Sequence, residues 1–211
     1  RDIRFEEAPE PIIETDSEVK IKVKAVGICG SDIHRYALLG PYVPGTVWGH
    51  EFSGEVVAVG KNVTKVKVGQ KVTACPALYC GKCDSCKKAK FAQCENLGVI
   101  GQHHQGAFAE YIVMEEENVV PVPENVSYDA AAMVEPSCVV AHGYYKVNLD
   151  PGDTVAVVGC GTIGLLAIQW AKIFGASKVI AIDIDDAKLE LAKKLGADET
   201  INSRNKEPFE E

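Results

Sequence analysis

Across its 211 residues the sequence has no apolar run of the roughly 20 residues needed to span a membrane as a helix, and its first residues lack the apolar stretch of a secretory leader. Nor has it a basic stripe. Its 22 Lys and Arg stand against 30 Asp and Glu, a formal charge of -8, whereas affinity for a phosphate backbone depends on concentrated Lys and Arg. Neither a membrane nor a nucleic acid is therefore expected as a partner, and a soluble, cytoplasmic protein is. The sequence also lacks internal repeats and low-complexity segments, so no part of it reads as a repeat array or an unstructured linker.

What is present is an ordinary globular balance, 46% hydrophobic and 25% charged residues, in a length that suits one generous domain or two modest ones. The chain opens on Arg1 rather than methionine and stops soon after a strand and helix alternation begins, so both ends read as cut and the gene is expected to continue. Eight cysteines would suggest disulfides in a small secreted protein. Four of them, however, fall between Cys80 and Cys94 at metal-ligand spacing, which fits metal thiolates in a reducing compartment better.

Residues 18–26 alternate polar and apolar side chains, the period of a strand with one buried face, and residues 51–59 and 70–74 do the same. Glycines punctuate these runs, and residues 106–122 add further strands, so the first part of the chain is expected to be β-rich. The run Glu115, Glu116, Glu117 reads as a solvated turn. Pro121 and Pro123 end the β pattern, and residues 128–147 read as helical, with a break expected at Glu135 and Pro136. After a turn at 149–153, residues 154–158 form a continuous apolar run, as expected for a buried parallel strand. A helical pattern at 163–174, a second apolar run at 178–182 and a second helix at 187–195 follow. Strand, helix, strand, helix specifies a parallel sheet. Two domains are expected, residues 1–148 and 149–211.

Gly159, Gly161 and Gly164 follow the first of those strands directly and open its helix, the context in which G-x-G-x-x-G has weight. Gly159 permits a tight turn, Gly161 lets the backbone approach a pyrophosphate, and Gly164 permits close helix packing. Thr162 and Ile163 begin the helix whose unpaired N–H groups face the anion. Asp183 ends the second strand, where its carboxylate can accept hydrogen bonds from both adenosine ribose hydroxyls and repel a 2′-phosphate. Positions 184–186 hold no Arg or Lys, and Lys188 is expected to pack on the surface, so NAD rather than NADP is the expected cofactor.

Cys80, Cys83, Cys86 and Cys94 are spaced x2, x2 and x7. Four sulfurs complete a tetrahedral zinc shell and leave no position for a substrate, so a zinc here is structural. An iron–sulfur cluster is the chemical alternative, opposed by the surrounding lysines and the lack of any other redox group. Two disulfides are disfavoured by the close spacing and the expected compartment.

Cys29, His50 and Glu51 mix thiolate, imidazole and carboxylate, the ligand types of an open zinc site. Singly, each admits a plainer reading: Cys29 as filler, His50 at a sheet edge, Ser31 and Asp32 in a turn. Together they carry a resemblance. Cys29-x-Ser31-Asp32-x-His34, then Gly49-His50-Glu51-x2-Gly54, with the four-cysteine loop and the glycine turn, resembles the zinc-dependent medium-chain alcohol and polyol dehydrogenases over essentially the whole chain. Glu135-Pro136-Ser137 looks most like the polyol branch, which includes sorbitol, butanediol and sugar-alcohol phosphate dehydrogenases.

The resemblance implies an α/β plus β fold. A β-rich, partly open, co-chaperonin-like (GroES-like) barrel would carry two zinc ions, one catalytic and one structural, and the first half of a Rossmann doubly wound parallel sheet would follow. It implies that Cys29, His50 and Glu51 sit on or beside the catalytic zinc and that Glu135 supplies a further carboxylate to the metal or its bound water. Which of Glu51 and Glu135 is a direct ligand stays open, as does a plainer role for Glu135 at a helix start. Asp32 would orient His50 through its other ring nitrogen. Ser31 and His34 match the family's proton relay, the serine hydroxyl meeting the alcohol and the histidine passing its proton outward. The implied reaction is hydride transfer from a secondary hydroxyl of a polyol or polyol phosphate to NAD, with zinc as the Lewis acid. Another alcohol, such as butanediol or threonine, is the enzymatic alternative. A non-catalytic nucleotide-binding fragment is the alternative from a different class. A homo-oligomer, dimer or tetramer, is expected of the full-length protein. Tyr36 and Trp48 are candidates for the substrate pocket, Trp48 standing where the family usually has a small aliphatic residue.

Overall fold

A computed structural model describes residues 2–205. The chain separates into two compact units, Arg1–Glu135 and Pro136–Glu211, a division earlier than the expected one at 148. The intervening helix packs with the second unit: the Tyr144 hydroxyl donates to Ala167 O at 2.8 Å, and its ring meets Phe174. Among the described residues no helix is long and apolar enough to cross a membrane.

The strands of the first unit are β1 (Glu18–Gly27), β2 (Glu51–Val59), β3 (Lys71–Ala74), β4 (Ala77–Leu78), β5 (Gly98–Val99), β6 (Tyr111–Glu115) and β7 (Val119–Pro121). Five of them form an antiparallel sheet in the order β6-β1-β2-β3-β7, and β4 pairs with β5 in a separate ribbon. The alternation read in β1 is realised as Val19 and Ile21 fully buried, with Lys22 and Lys24 exposed. These side chains join Phe52, Val56, Val72, Ile112, Met114 and Val119 in one core, each large apolar side chain contributing about 1.5–3 kcal/mol on burial. Register shifts after Lys20 and Val23 bend β1. Short helices lie between the strands: α1 (Gly30–His34), which runs into a π-helical turn at Arg35–Leu39, α2 (Asp84–Lys87) and α3 (Tyr128–Ala132). The acidic run is more than a solvated turn. Glu116 accepts from the backbone N–H groups of Thr64 and Lys65 and so ties two loops together.

The second unit holds α4 (Val134–Val147) from Pro136 onward, then β8 (Thr154–Val158), α5 (Thr162–Ile173), β9 (Lys178–Asp183), α6 (Asp186–Lys194) and β10 (Glu199–Asn202). Its three strands are parallel in the order β10-β9-β8, as the alternation requires. Two details differ from expectation. The helical stretch breaks at Met133, and α4 runs straight through Glu135 and Pro136. Pro136 stands in the first turn, where a backbone N–H has no intrahelical acceptor, so its ring costs nothing there. Strand β8 is also not buried on both faces. Val157 is buried against Ile168, whereas Thr154, Ala156 and Val158 point outward and are exposed. Among the described residues β8 pairs only with β9.

Candidate functional site

Antiparallel pairing sets Gly27 at the end of β1 opposite Glu51 at the start of β2. The residues just after β1 therefore lie beside those just before β2, and this is how Cys29 and His50 meet. Gly27 has to lack a side chain, because a Cβ there would lie 2.5 Å from Glu51 Oε2. Gly49, at φ +94°, turns the chain into β2 where a Cβ would press on Phe108 at 2.7 Å. One ligand atom each from Cys29, His50 and Glu51 lies within 4.8 Å of the other two. His50 and Glu51 are buried and Cys29 is half-buried. Glu135, at the start of α4, stands outside this trio but within reach of the charges of His50 and Glu51.

Cys29 is the residue that caps α1. Its sulfur accepts from Ser31 N at 3.5 Å, and Asp32 Oδ2 accepts from Cys29 N at 3.1 Å. Asp32 is thus committed to the cap, and the expected hydrogen bond to His50 is not formed: Asp32 Oδ1 stops 3.9 Å from His50 Nδ1. His50 Nδ1 and Ser31 Oγ are both buried without a hydrogen-bond partner among the described residues. Orphaned buried polar atoms are costly. Two of them beside three soft and hard donors fit a bound group better than a closed core. Burial pushes the Cys29 thiol pKa up, against the hydrogen bond from Ser31. Burial likewise raises Asp32 and Glu135, each opposed by the charge of His50, with Glu51 raising Glu135 further. A divalent cation reverses such shifts by favouring the ionised donors. His34 is exposed on α1 three residues beyond Ser31, the spacing of one helix face.

A contact that sequence reasoning missed secures the loop that follows. Arg35 lies 3.1 Å from the Tyr42 ring centre and donates to Gly40 O at 3.1 Å, and Tyr42 meets the His103 ring at 4.8 Å. Val47 N donates to Gln105 Oε1 at 2.7 Å. The pairs Tyr42–His103 and Val47–Gln105 are distant in sequence, and none of these contacts carries a local motif. Tyr36 is exposed and Trp48 half-buried.

The sulfurs of Cys80, Cys83, Cys86 and Cys94 also lie within 4.8 Å of one another. All are free thiols, so the disulfide alternative is not formed. Cys94 Sγ accepts from Cys80 N and Asn96 N at 3.3 and 3.4 Å. The N–H groups of Lys82 and Cys83 lower the Cys80 thiol to about 6, and backbone N–H groups also lower Cys83. Burial, with the neighbouring thiols, pushes Cys86 up to about 12. Four sulfurs this close would, as thiolates, need a cation between them, and their chemistry fits zinc.

At the glycine turn, Gly159 adopts φ +92° and Gly161 caps α5, whose first turn holds Thr162 and Ile163. A Cβ on Gly164 would collide with Gly159 O, so the helix can approach this closely only with glycine there. Asp183 sits at the end of β9. Its Oδ2 accepts from Cys160 N at 2.6 Å and its Oδ1 from Ile184 N and Asp185 N at 2.7 and 3.0 Å. These bonds, that from Cys160 foremost, hold its pKa below the usual carboxylate value. A carboxylate offers about four lone-pair positions. Three are occupied by these backbone N–H groups. The rings of Trp170 and Phe174 meet at a tilt, 5.5 Å between centres, and Cys160 is buried as filler.

Residues 15–124 match the family model of the alcohol dehydrogenase GroES-like domain, and residues 162–211 that of the zinc-binding dehydrogenases. A sorbitol dehydrogenase of Bacillus subtilis is 42% identical over 100% of this chain and 61% of its own. An L-threonine 3-dehydrogenase of the same organism is 41% identical over 94% of this chain and 58% of its own. The crystal structure of galactitol-1-phosphate dehydrogenase from Escherichia coli superposes with a TM-score of 0.92 at 39% identity, over 98% of this chain and 60% of its own. The chain thus spans about 60% of the length of the curated relatives it matches.

Proposed function

We propose, since the chain belongs to the zinc-dependent medium-chain alcohol and polyol dehydrogenase family, that it carries the metal-binding part and the first cofactor-binding turns of an NAD-dependent enzyme. That enzyme oxidises a secondary hydroxyl of a polyol or polyol phosphate. The observation that carries the reading is the convergence of Cys29, His50 and Glu51 within 4.8 Å, with the buried Ser31 hydroxyl unpartnered two residues beyond Cys29. Cys29, His50 and Glu51 would hold a catalytic zinc, with Glu135 as a further carboxylate. Cys80, Cys83, Cys86 and Cys94 would hold a structural one. When bound, the catalytic zinc supplies a Lewis acid that lowers the pKa of the substrate hydroxyl, and NAD supplies the hydride acceptor.

The chain's own residues hold and move the proton. Ser31 Oγ has no hydrogen-bond partner among the described residues and is placed to accept the hydrogen bond of the substrate hydroxyl. His34, exposed on the same helix face, passes the proton to water. Gly159, Gly161, Gly164 and the first turn of α5, with Thr162 and Ile163, cradle the pyrophosphate, and Asp183 binds the adenosine ribose. The substrate class is supported by relatives named for sorbitol, arabitol phosphate and galactitol 1-phosphate. The reading extends to a homo-oligomer in the cytoplasm, and the four cysteines gathered at metal-ligand distances favour a reducing compartment.

Full-length, zinc-loaded enzyme screened for NADH formation across polyols, their phosphates, butanediol and threonine tests the proposal. The expected result is turnover of a polyol or polyol phosphate with the highest kcat/KM. Turnover of threonine or butanediol alone would move the substrate class, and no turnover of any alcohol would sink the catalytic reading. Light scattering on the same preparation reads the oligomeric state.

A further inference from the structure

The sheet holds the Cys29, His50 and Glu51 trio from one side only. Pairing of β1 with β2 sets Gly27 opposite Glu51 and fixes the chain from Glu51 onward, whereas residues 46–50, which lead up to it, lie in no helix or strand. The place of the His50 imidazole therefore has to be set by something other than the sheet.

A segment remote in sequence supplies it. Gly106 N donates to Val47 O at 2.7 Å, Phe108 N to Trp48 O at 2.8 Å and Ala107 N to Gly49 O at 2.9 Å. Gln105 adds a fourth tie, its Oε1 accepting from Val47 N at 2.7 Å. The three carbonyls that precede His50 are thus held by three consecutive residues. No side chain cushions the contact. A Cβ on Gly106 would lie 2.5 Å from both Trp48 O and Gly49 O, and one on Gly101 would lie 2.7 Å from Gly49 O. Backbone rests on backbone one residue before the imidazole, and packed interiors transmit such displacements rather than absorb them. Admitting a methyl at Gly106 would open the contact by about 0.5 Å, as large as the tolerance within which a site's ligands must be held.

We infer that Gln105 and Gly106 are positioning residues for the metal centre, on the reading of Cys29, His50 and Glu51 as the catalytic zinc site. They act through the backbone of residues 47–49 and keep a ligand nitrogen of His50 within 4.8 Å of its counterparts on Cys29 and Glu51. Gln105 is exposed, and surface substitutions seldom move stability far, so its variants separate positioning from folding.

Zinc-loaded full-length enzyme, unmodified and carrying Gln105→Ala, Gln105→Glu, Gly106→Ala or His50→Ala, is challenged with a chelator while the zinc left per chain is counted over time. The cobalt-substituted forms are compared by visible absorption, whose bands follow coordination geometry. One zinc is expected to leave the unmodified enzyme before the other, and its absence from His50→Ala identifies it as the trio's. Gln105→Ala is expected to release that zinc about tenfold faster, the lower end of what partners behind a metal ligand contribute. The cobalt bands should shift, with the other zinc and the Tm nearly unchanged. Gln105→Glu keeps an acceptor for Val47 N and is expected to restore the unmodified rate. Gly106→Ala should exceed Gln105→Ala in the same direction, and if it does not fold the two Gln105 variants decide alone. An unchanged rate and spectrum in Gln105→Ala, no recovery in Gln105→Glu, or equal acceleration at both zinc sites would each overturn the assignment. If His50→Ala keeps both zinc ions, the trio is not a metal site, and the positioning role falls with that reading.

Discussion

The two metal-type clusters of the first unit are built in opposite ways. Cys80, Cys83, Cys86 and Cys94 come from one short stretch of chain, offer four identical donors, and are fastened by the loop's own N–H groups. Cys29, His50 and Glu51 come from two segments brought together by the pairing of β1 with β2, offer three different donors, and leave Ser31 Oγ and His50 Nδ1 without a hydrogen-bond partner among the described residues. The contiguous cluster is held only by short-range bonds within one loop, so a metal there is expected to be part of the fold. The dispersed cluster is organised by a sheet whose core exists without it, so its residues are spare for chemistry.

The largest expected effect tests that division on the dispersed side. In the full-length enzyme, His50→Ala should lower kcat/KM by about 10³-fold or more, with a stability change under about 2 kcal/mol. Steady-state kinetics and thermal unfolding on one preparation check both halves. Activity within tenfold of the unmodified enzyme, or unfolding of the variant at room temperature, would break the comparison.

On the contiguous side, Cys83→Ser should cost about 3 kcal/mol or more of stability, because losing a structural metal belongs to the severe class of substitutions. Elemental analysis should count two zinc ions per chain in fresh enzyme and one in the variant. A single zinc in the fresh enzyme, or an unchanged Tm in the variant, would contradict the assignment.

A third change moves the contrast to the second unit. Asp183→Ala should reduce the preference for NAD over NADP by about ten- to a hundredfold, since it removes a charge-assisted hydrogen bond and a repulsive charge together. The measured quantity is the ratio of kcat/KM values, because Asp183 also holds Cys160 N and its loss should weaken both cofactors. A ratio that does not move would show that cofactor choice lies elsewhere, with Lys188 and Arg204 lining a neighbouring cavity.

How much of this was legible in the sequence follows the same contrast. Contiguous signals read well: the four-cysteine spacing, the glycine turn between strand and helix, and the strand and helix alternation depend on residues close in the chain. What the sequence misjudged depends on partners outside it. Pro136 was read as a break because proline usually is one, and only its place in the first turn of α4 makes it harmless. The apolar run of β8 was read as buried, yet half of it faces outward where no described strand or helix covers it. The hydrogen bond of Asp32 is expected at His50, yet that carboxylate instead serves the backbone N–H of Cys29, and Asp183 likewise accepts from the N–H groups beside it. A carboxylate beside a loop satisfies the donors nearest to it first.

The smallest effect isolates that last point. The three N–H groups hold the folded-state pKa of Asp183 below its ordinary value, which in the unfolded chain is about 3.9. A depressed folded pKa means that the unfolded chain binds the proton more readily. The contribution of the ionised carboxylate is therefore full above the ordinary value and is lost as pH falls through the folded one. Asp183→Asn removes the charge while keeping one acceptor oxygen, so it should cost up to about 1 kcal/mol near neutrality. That deficit should shrink as the pH falls below about 4. Acid also strips zinc from thiolates, which would mask so small a term in either protein alone. Both proteins share the same cysteines, so that loss cancels in the difference between their Tm values. A difference that stays constant from neutrality to about pH 3 would mean that Asp183 holds the glycine turn as a neutral acceptor does, and that its charge adds nothing to the fold.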